Sequence, residues 1–214
     1  MDNYTRPEFE KSGLIVIDTQ TDCLDGRPFE IPGTTAILPR LQRLVEAFRT
    51  ANRPIVHIVR LYKTDGSNVD ICRREAVEKG AALLVPGDSG SQIARELRPQ
   101  PDFELDHQAL LSGRVQDAGP NEVAIYKSRW GAFYKTPLED YLREKGLTTL
   151  VFGGCNFPNC PRTSMYEASE RDFRVVLAVD AISGLYERGA KEMHNIGVAL
   201  MDVGEITNAL KTIN

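Results

Sequence analysis

Three side chains, Asp18, Lys127 and Cys160, have the types and settings of reactive groups. Cys160 lies within LTTLVFGGCNFPNCPRTS, where an apolar, β-branched run over 147–153 ends at a pair of glycines, the pattern of a buried strand entering a tight turn. Pro161 follows, and proline suits the first helical position because its missing N–H would have no partner there. Cys160 is therefore expected at a helix N-cap, where free amides and the helix dipole favour a thiolate over a thiol. The serine counterpart of this strand, turn and helix is the nucleophile elbow of α/β hydrolases. Asp18 closes the apolar run GLIVID, and Lys127 closes EVAIYK. An acid can take a thiol proton, a lysine can hold that acid ionised, and the sulfur can attack a carbonyl carbon. Taken singly, each has a plainer reading: Asp18 a turn residue, Lys127 a solvated strand end, a cysteine a small buried hydrophobe. Cys155 keeps that last reading. The C-x4-C pair Cys155 and Cys160 lacks a second pair or a histidine at ligand spacing, so no zinc site is expected.

The elements that must position these groups alternate along the chain. Residues 13–18 read as a central parallel strand buried on both faces. A turn-rich linker follows, and Leu38, Leu41, Leu44, Val45 and Phe48 then recur at helical spacing, with Pro39 tolerable only in a first turn. PIVHIVR over 54–60 is a second strand, and its His57 reads as a packed core histidine. The pattern β-α-β favours a right-handed parallel crossover. Residues 61–121 are the least regular, with helix-like pieces near 70–79 and 91–98. Connections of that length are usually functional, as lids or interface elements, or contain further structure. Gly87-Asp88-Ser89-Gly90 mimics a serine-protease segment, but that chemistry needs an all-β frame with a His/Asp pair. A third strand over 122–127, a helix opened by Thr136-Pro137, and the elbow strand come next. Helix 161–172, strand 174–179, helix 187–201, a short strand near 203–206 and a last helical piece complete the chain. The class is α/β, one domain over 1–214, and ligands in such sheets bind outside the carboxyl ends of the strands. Asp18, Lys127 and Cys160 all fall at that edge.

With 214 residues, 42% hydrophobic and 26% charged, the chain can bury one sizeable core without disulfide staples. A net charge of −4 offers no general attraction to nucleic acid or anionic membrane. The first residues lack an apolar signal region, and no later run reaches membrane-spanning length, so a cytoplasmic location with Cys23, Cys72, Cys155 and Cys160 reduced is expected.

GLIVIDTQTD, KSRWGAFYKTPLEDYLREKG and GGCNFPNCPRTS with the downstream RDFRVVLAVDA resemble, in the same order, three motifs of the isochorismatase-like cysteine hydrolases. The resemblance covers almost the whole chain. It implies a three-layer α/β/α fold with a six-stranded, mostly parallel sheet of order 3-2-1-4-5-6, and a homo-oligomer, dimer or tetramer. It implies a catalytic set of Asp18, Lys127 and Cys160, and a cis peptide between Cys155 and Asn156 that aims the amides of Asn156 and Cys160 as an oxyanion hole. Gln20 belongs to the Asp-x-Gln motif and enters the candidate substrate contacts with it. The chain also departs from the pattern. Phe157 and Pro158 stand where many members carry Thr and Asp, Cys23 where an aromatic is common, and RLYKTDGSNVD lacks the histidine of the nicotinamidase metal cluster. No metal and no cofactor are expected.

The resulting expectation is a hydrolase that cleaves a C–N bond of a small amide or carbamoyl compound through a thioester. A vinyl-ether hydrolase using Asp18 as acid, and a catalytically idle binding domain, are the alternatives. Trp130, near Lys127, and Phe157, inside the nucleophile turn, are placed to border the reacting carbonyl, with core packing the other reading for each. Arg162 and Arg129 are near enough in sequence to pair with a substrate carboxylate, although a solvated role is the commoner fate of such residues.

Overall fold

Successive side chains of a strand point to opposite faces, and the first strand uses both. In β1 (Ser12–Ile17) Leu14 and Val16 enter one apolar cluster while Ile15 and Ile17 enter another. β2 (Ile55–Val59), β5 (Thr149–Gly154) and β6 (Arg174–Ile182) divide their side chains between the same two clusters. A central parallel sheet covered on both faces requires this, and continuous apolar runs are its sequence signature. The computed structural model describes residues 3–212.

On one face lie α1 (Thr34–Thr50) and α7 (Val203–Lys211), whose Leu38, Leu41, Leu44, Phe48, Ile206 and Leu210 are buried. The other face is covered by α4 (Leu138–Glu144), α5 (Cys160–Ser169) and α6 (Glu187–Asn195) through Leu138, Leu142, Met165 and Met193. The remaining elements are α2 (Ile71–Glu78), α3 (His107–Leu111), β3 (Gln116–Gly119), β4 (Glu122–Tyr126) and β7 (Ala199–Met201). The sheet runs β3-β4-β2-β1-β5-β6-β7, parallel except for β3 on β4. Without β3 this is the expected order 3-2-1-4-5-6.

The differences from the sequence reading have local causes. The seventh strand, β3, is a short antiparallel edge reading QDAG, which has neither alternation nor β-branched residues to announce it. The last strand is 199–201, because residues 203–206 open α7 under a capping box between Asp202 and Glu205. The helix expected over 187–201 ends at Asn195, and Gly197 follows it at φ +87°, a left-handed conformation that suits glycine. α1 starts at Thr34, so Pro39 lies beyond the first turn and α1 forgoes one backbone hydrogen bond there. Residues 91–98 hold no α-helix: short 3-10 turns at Ser89–Ser91 and Arg95–Leu97 flank an antiparallel bridge from Ile93 to Gln20. The long segment 61–121 is fastened beside β1: Thr21 N–H donates to Gln92 O and Ala94 N–H to Thr19 O.

His57 sits inside the sheet as expected, and it has partners. Its Nε2 lies 2.7 Å from Glu122 Oε1, and Arg49 of α1 holds both oxygens of that carboxylate at 2.7 and 2.8 Å. These bonds outweigh the cost of burial and hold the Glu122 carboxyl down at about 2, well below its ordinary value of 4.5. A depressed acid contributes stability above its unfolded pKa and loses it as pH falls towards the folded one. Glu122→Gln is therefore expected to cost about 3–5 kcal/mol near neutral pH, since it leaves Arg49 and His57 without their carboxylate. Acid titrations followed by circular dichroism should show the parent losing stability between pH 4.5 and about 2, and the variant losing less over that window.

Candidate active site

The parallel sheet brings four neighbouring strand ends together, and the ladder hydrogen bonds continue into them. Asp18 N–H donates to Ile58 O, Lys127 N–H to Val59 O and Cys155 N–H to Ile17 O, at 2.9, 3.0 and 2.9 Å. Main-chain positions at the site are thus set by the sheet itself. Asp18 leaves β1 at φ +46°, a left-handed conformation that aspartate tolerates better than most residues.

Lys127 is fully buried and its Nζ donates to Asp18 Oδ2 at 2.7 Å and to Arg129 O at 3.3 Å. Asp18 Oδ1 is buried too and has no hydrogen-bond partner among the described residues. A buried carboxylate oxygen without a well-formed hydrogen bond calls for a partner, and the Cys160 thiol interacts with Asp18 in the same pocket. Asp18 and Cys160 line one pocket, together with Arg60, Trp130, Asn156 and Asn159. The pocket encloses about 340 Å³, its open mouth included. Cys160 is the first residue of α5, with Asn159 at the N-cap and Pro161 next, one position inside the expected boundary. The peptide between Cys155 and Asn156 is cis.

Arg60, at the end of β2, is a site residue that strand and motif reading passed over. It is 2% exposed; Nη1 donates to Asp70 Oδ2 at 2.6 Å, and Nη2 donates to Arg129 O at 2.6 Å and lies 3.7 Å from Cys160 Sγ. The signal was present, because Arg60 follows an apolar strand just as Asp18 and Lys127 do.

The thiol behaves differently from the N-cap expectation. Burial first, and then the Asp18 charge, push Cys160 up to about 11, against the opposing pull of Lys127 and Arg60. The resting sulfur is a neutral thiol at physiological pH and needs a base at the moment of attack.

Of the expected substrate contacts, Trp130 borders the pocket. Gln20 does not. It is fully buried and acts as a bridge: Nε2 donates to Arg60 O and Ser91 O, and Oε1 accepts from Arg60 N–H at 2.7 Å. Phe157 lies in the core, fully buried, with Tyr186 edge-on at 5.6 Å and Gly189 making room beneath it. The turn folds it inward because Phe157 N–H donates to Ser183 O at 2.8 Å, tying the turn to the end of β6. Arg162 is engaged outside the pocket, with Glu192 at 2.5 Å and Tyr186 Oη at 2.6 Å. Arg129 Nη1 donates to Asn68 O and Ser128 O. Two further residues hold the loop after Lys127 against the nucleophile helix. Ser164 Oγ accepts from Ala132 N–H and donates to Cys160 O, while Glu167 accepts from Phe133 N–H. Among the described residues no group of three or more His, Cys, Asp or Glu is placed to hold a metal ion, and no helix is long and apolar enough to cross a membrane.

The sequence and the fold have counterparts among known proteins. The isochorismatase domain matches residues 12–207. The chain belongs to the isochorismatase family. A crystal structure of an isochorismatase family protein from Desulfovibrio vulgaris superimposes with a TM-score of 0.79 at 27% identity, covering 94% of this chain and 98% of the other. Among curated relatives, a ureidoacrylate amidohydrolase, RutB, of Methylobacterium radiotolerans is 29% identical over 87% of this chain and 71% of its own length. A probable inactive nicotinamidase of Arabidopsis thaliana is 27% identical over 89% and 91%. The family includes amidohydrolases, and the isochorismatase-like fold extends over the matched residues 12–207.

Two outcomes follow from the site's geometry. Phe157→Ala should lower stability by about 3–5 kcal/mol in denaturant titrations, as for a buried aromatic emptied to a cavity, with the Cys160 alkylation rate little changed. Iodoacetamide modification of Cys160, read by peptide mass spectrometry, should go on accelerating up to pH of about 11, whereas a free cysteine levels off near ~8.5. A plateau at neutral pH would show a preformed thiolate.

Proposed function

We propose that the protein is a cysteine-dependent amidohydrolase acting on the C–N bond of a small amide or carbamoyl compound. The observation that carries this reading is the buried Lys127–Asp18 pair at 2.7 Å, which leaves Asp18 Oδ1 unpartnered in the pocket that Cys160 lines. Lys127 holds the Asp18 carboxyl in place through its 2.7 Å contact, and Asp18 takes the thiol proton as the sulfur attacks the carbonyl carbon. Arg60, 3.7 Å from Sγ, favours the negative sulfur as it forms. The developing oxyanion is assigned to the amides of Asn156 and Cys160 at the α5 N-terminus, where unpaired donors and the helix dipole both suit it. Asp18 returns the proton to the departing nitrogen as the C–N bond breaks, leaving an acyl thioester. A water then gives its proton to Asp18 and its oxygen to the acyl carbon, and the thiol is restored.

The raised thiol is consistent with this order of events. A cysteine that is neutral at rest and charged only when Asp18 accepts its proton resists indiscriminate alkylation and oxidation.

A screen of amides and carbamoyl compounds scored by released ammonia identifies a turned-over substrate. On it, Cys160→Ala should lose at least about 10³-fold in kcat while melting close to the parent, and the parent quenched at early times should carry an acyl mass on Cys160. A Cys160→Ala enzyme with parental turnover would exclude covalent catalysis and leave Asp18 acting alone, as a vinyl-ether hydrolase would use it.

A further inference from the structure

α2 comes from the long segment that sequence patterning left unexplained, and it delivers one side chain to the pocket mouth. Arg73 lines the pocket beside Trp130, with its side chain 20% exposed. Its guanidinium carbon stacks 4.7 Å from the Trp130 ring centre and 5.0 Å from that of Phe29, so two aromatic faces clamp the planar group. Nη1 donates to Asp70 Oδ2 at 3.2 Å and to Tyr62 Oη at 3.3 Å. Nε and Nη2 have no hydrogen-bond partner among the described residues. Those two nitrogens form one edge of the guanidinium, the two-pronged donor that matches both oxygens of a carboxylate.

Charge at the site points the same way. Arg60, Arg73 and Lys127 face the two carboxylates of Asp18 and Asp70, with Cys160 neutral at rest. Asp70 spends one oxygen on Arg60, Tyr62 and Arg73 together. Arg73 therefore shares one carboxylate oxygen with Arg60 and Tyr62, and the positive charge behind its free edge has no anion of its own. A monoanion would neutralise it. The guanidinium of Arg60, by contrast, is committed to Asp70, two backbone carbonyls and the nucleophile.

We infer that the substrate carries a carboxylate, which Arg73 binds through Nε and Nη2 at the pocket mouth while the scissile carbonyl reaches Cys160. The inference builds on the amidohydrolase reading and adds a specificity residue to it. Asn159, whose side chain has no hydrogen-bond partner among the described residues and lines the same pocket, is available to the polar groups between the two ends.

The test separates binding from catalysis. Succinamate and succinamide have the same skeleton and differ in charge, and each can be titrated calorimetrically into Cys160→Ala, which cannot form the acyl-enzyme. Succinamate should bind at least tenfold more tightly than succinamide. Adding Arg73→Gln should erase that difference, and Arg73→Lys should restore part of it, with the fold of each variant checked by its melting curve. Equal affinities, no binding of either compound up to tens of millimolar, or a preference that survives Arg73→Gln in a folded variant would each overturn the inference. The comparison within Cys160→Ala alone decides the case if the Arg73 variants do not fold. None of these results depends on turnover, so loss of the nucleophile reading would appear separately, as activity retained by Cys160→Ala.

Discussion

A lysine buried to zero exposure and an aspartate beside it, 2.7 Å apart, form the constraint around which this molecule is built. Removing two charges from water is expensive, and either one left alone would cost several kcal/mol. The pair is therefore tolerable only if β1 and β4 deliver both partners to the same spot every time. They are not neighbours in the sheet: β2 lies between them, and Arg60 at its end occupies the intervening place. Strand order, the parallel register and the backbone bonds that run past the strand ends all serve this convergence.

Around that pair the site is a chain of mutual neutralisation. Lys127 answers Asp18, Arg60 answers Asp70, and Arg73 shares Asp70 with Arg60. Gln20 has no reach into the pocket, yet it grips the backbone of Arg60 from both its amide ends and ties it to Ser91. The residue two places after Asp18 thus positions an arginine from the next strand. In this chain its place in the Asp-x-Gln motif serves the architecture around the sulfur.

How much of this was legible in the sequence follows from where each residue stands. Asp18, Lys127 and Cys160 were readable because a polar residue closing an apolar run, or a Cys-Pro after a glycine turn, stands out against its surroundings. The order of the six parallel strands followed from the family resemblance rather than from periodicity. Arg60 obeys the strand-end rule and was passed over because an arginine there also reads as an ordinary solvated end. Arg73 had no signal at all: it lies on a short helix of mixed charge, and only the fold carries it back across the site. Phe157 was misplaced by treating a loop residue as an outward one, when a backbone bond to Ser183 and the missing side chain of Gly189 draw it into the core. For the thiol, a helix N-terminus is visible in sequence whereas exclusion of water is a property of the finished packing.

The clamp on Arg73 has a spectroscopic consequence. Trp130 is the chain's single tryptophan, so its emission comes from one place, the rim of the pocket. A guanidinium 4.7 Å from the centre of the indole contributes to the electric field that the excited ring experiences. Any ligand that pulls on that guanidinium alters the field, and the shift in emission wavelength would report occupancy directly. The protein carries its own fluorescent gauge of the site, without a label and without turnover.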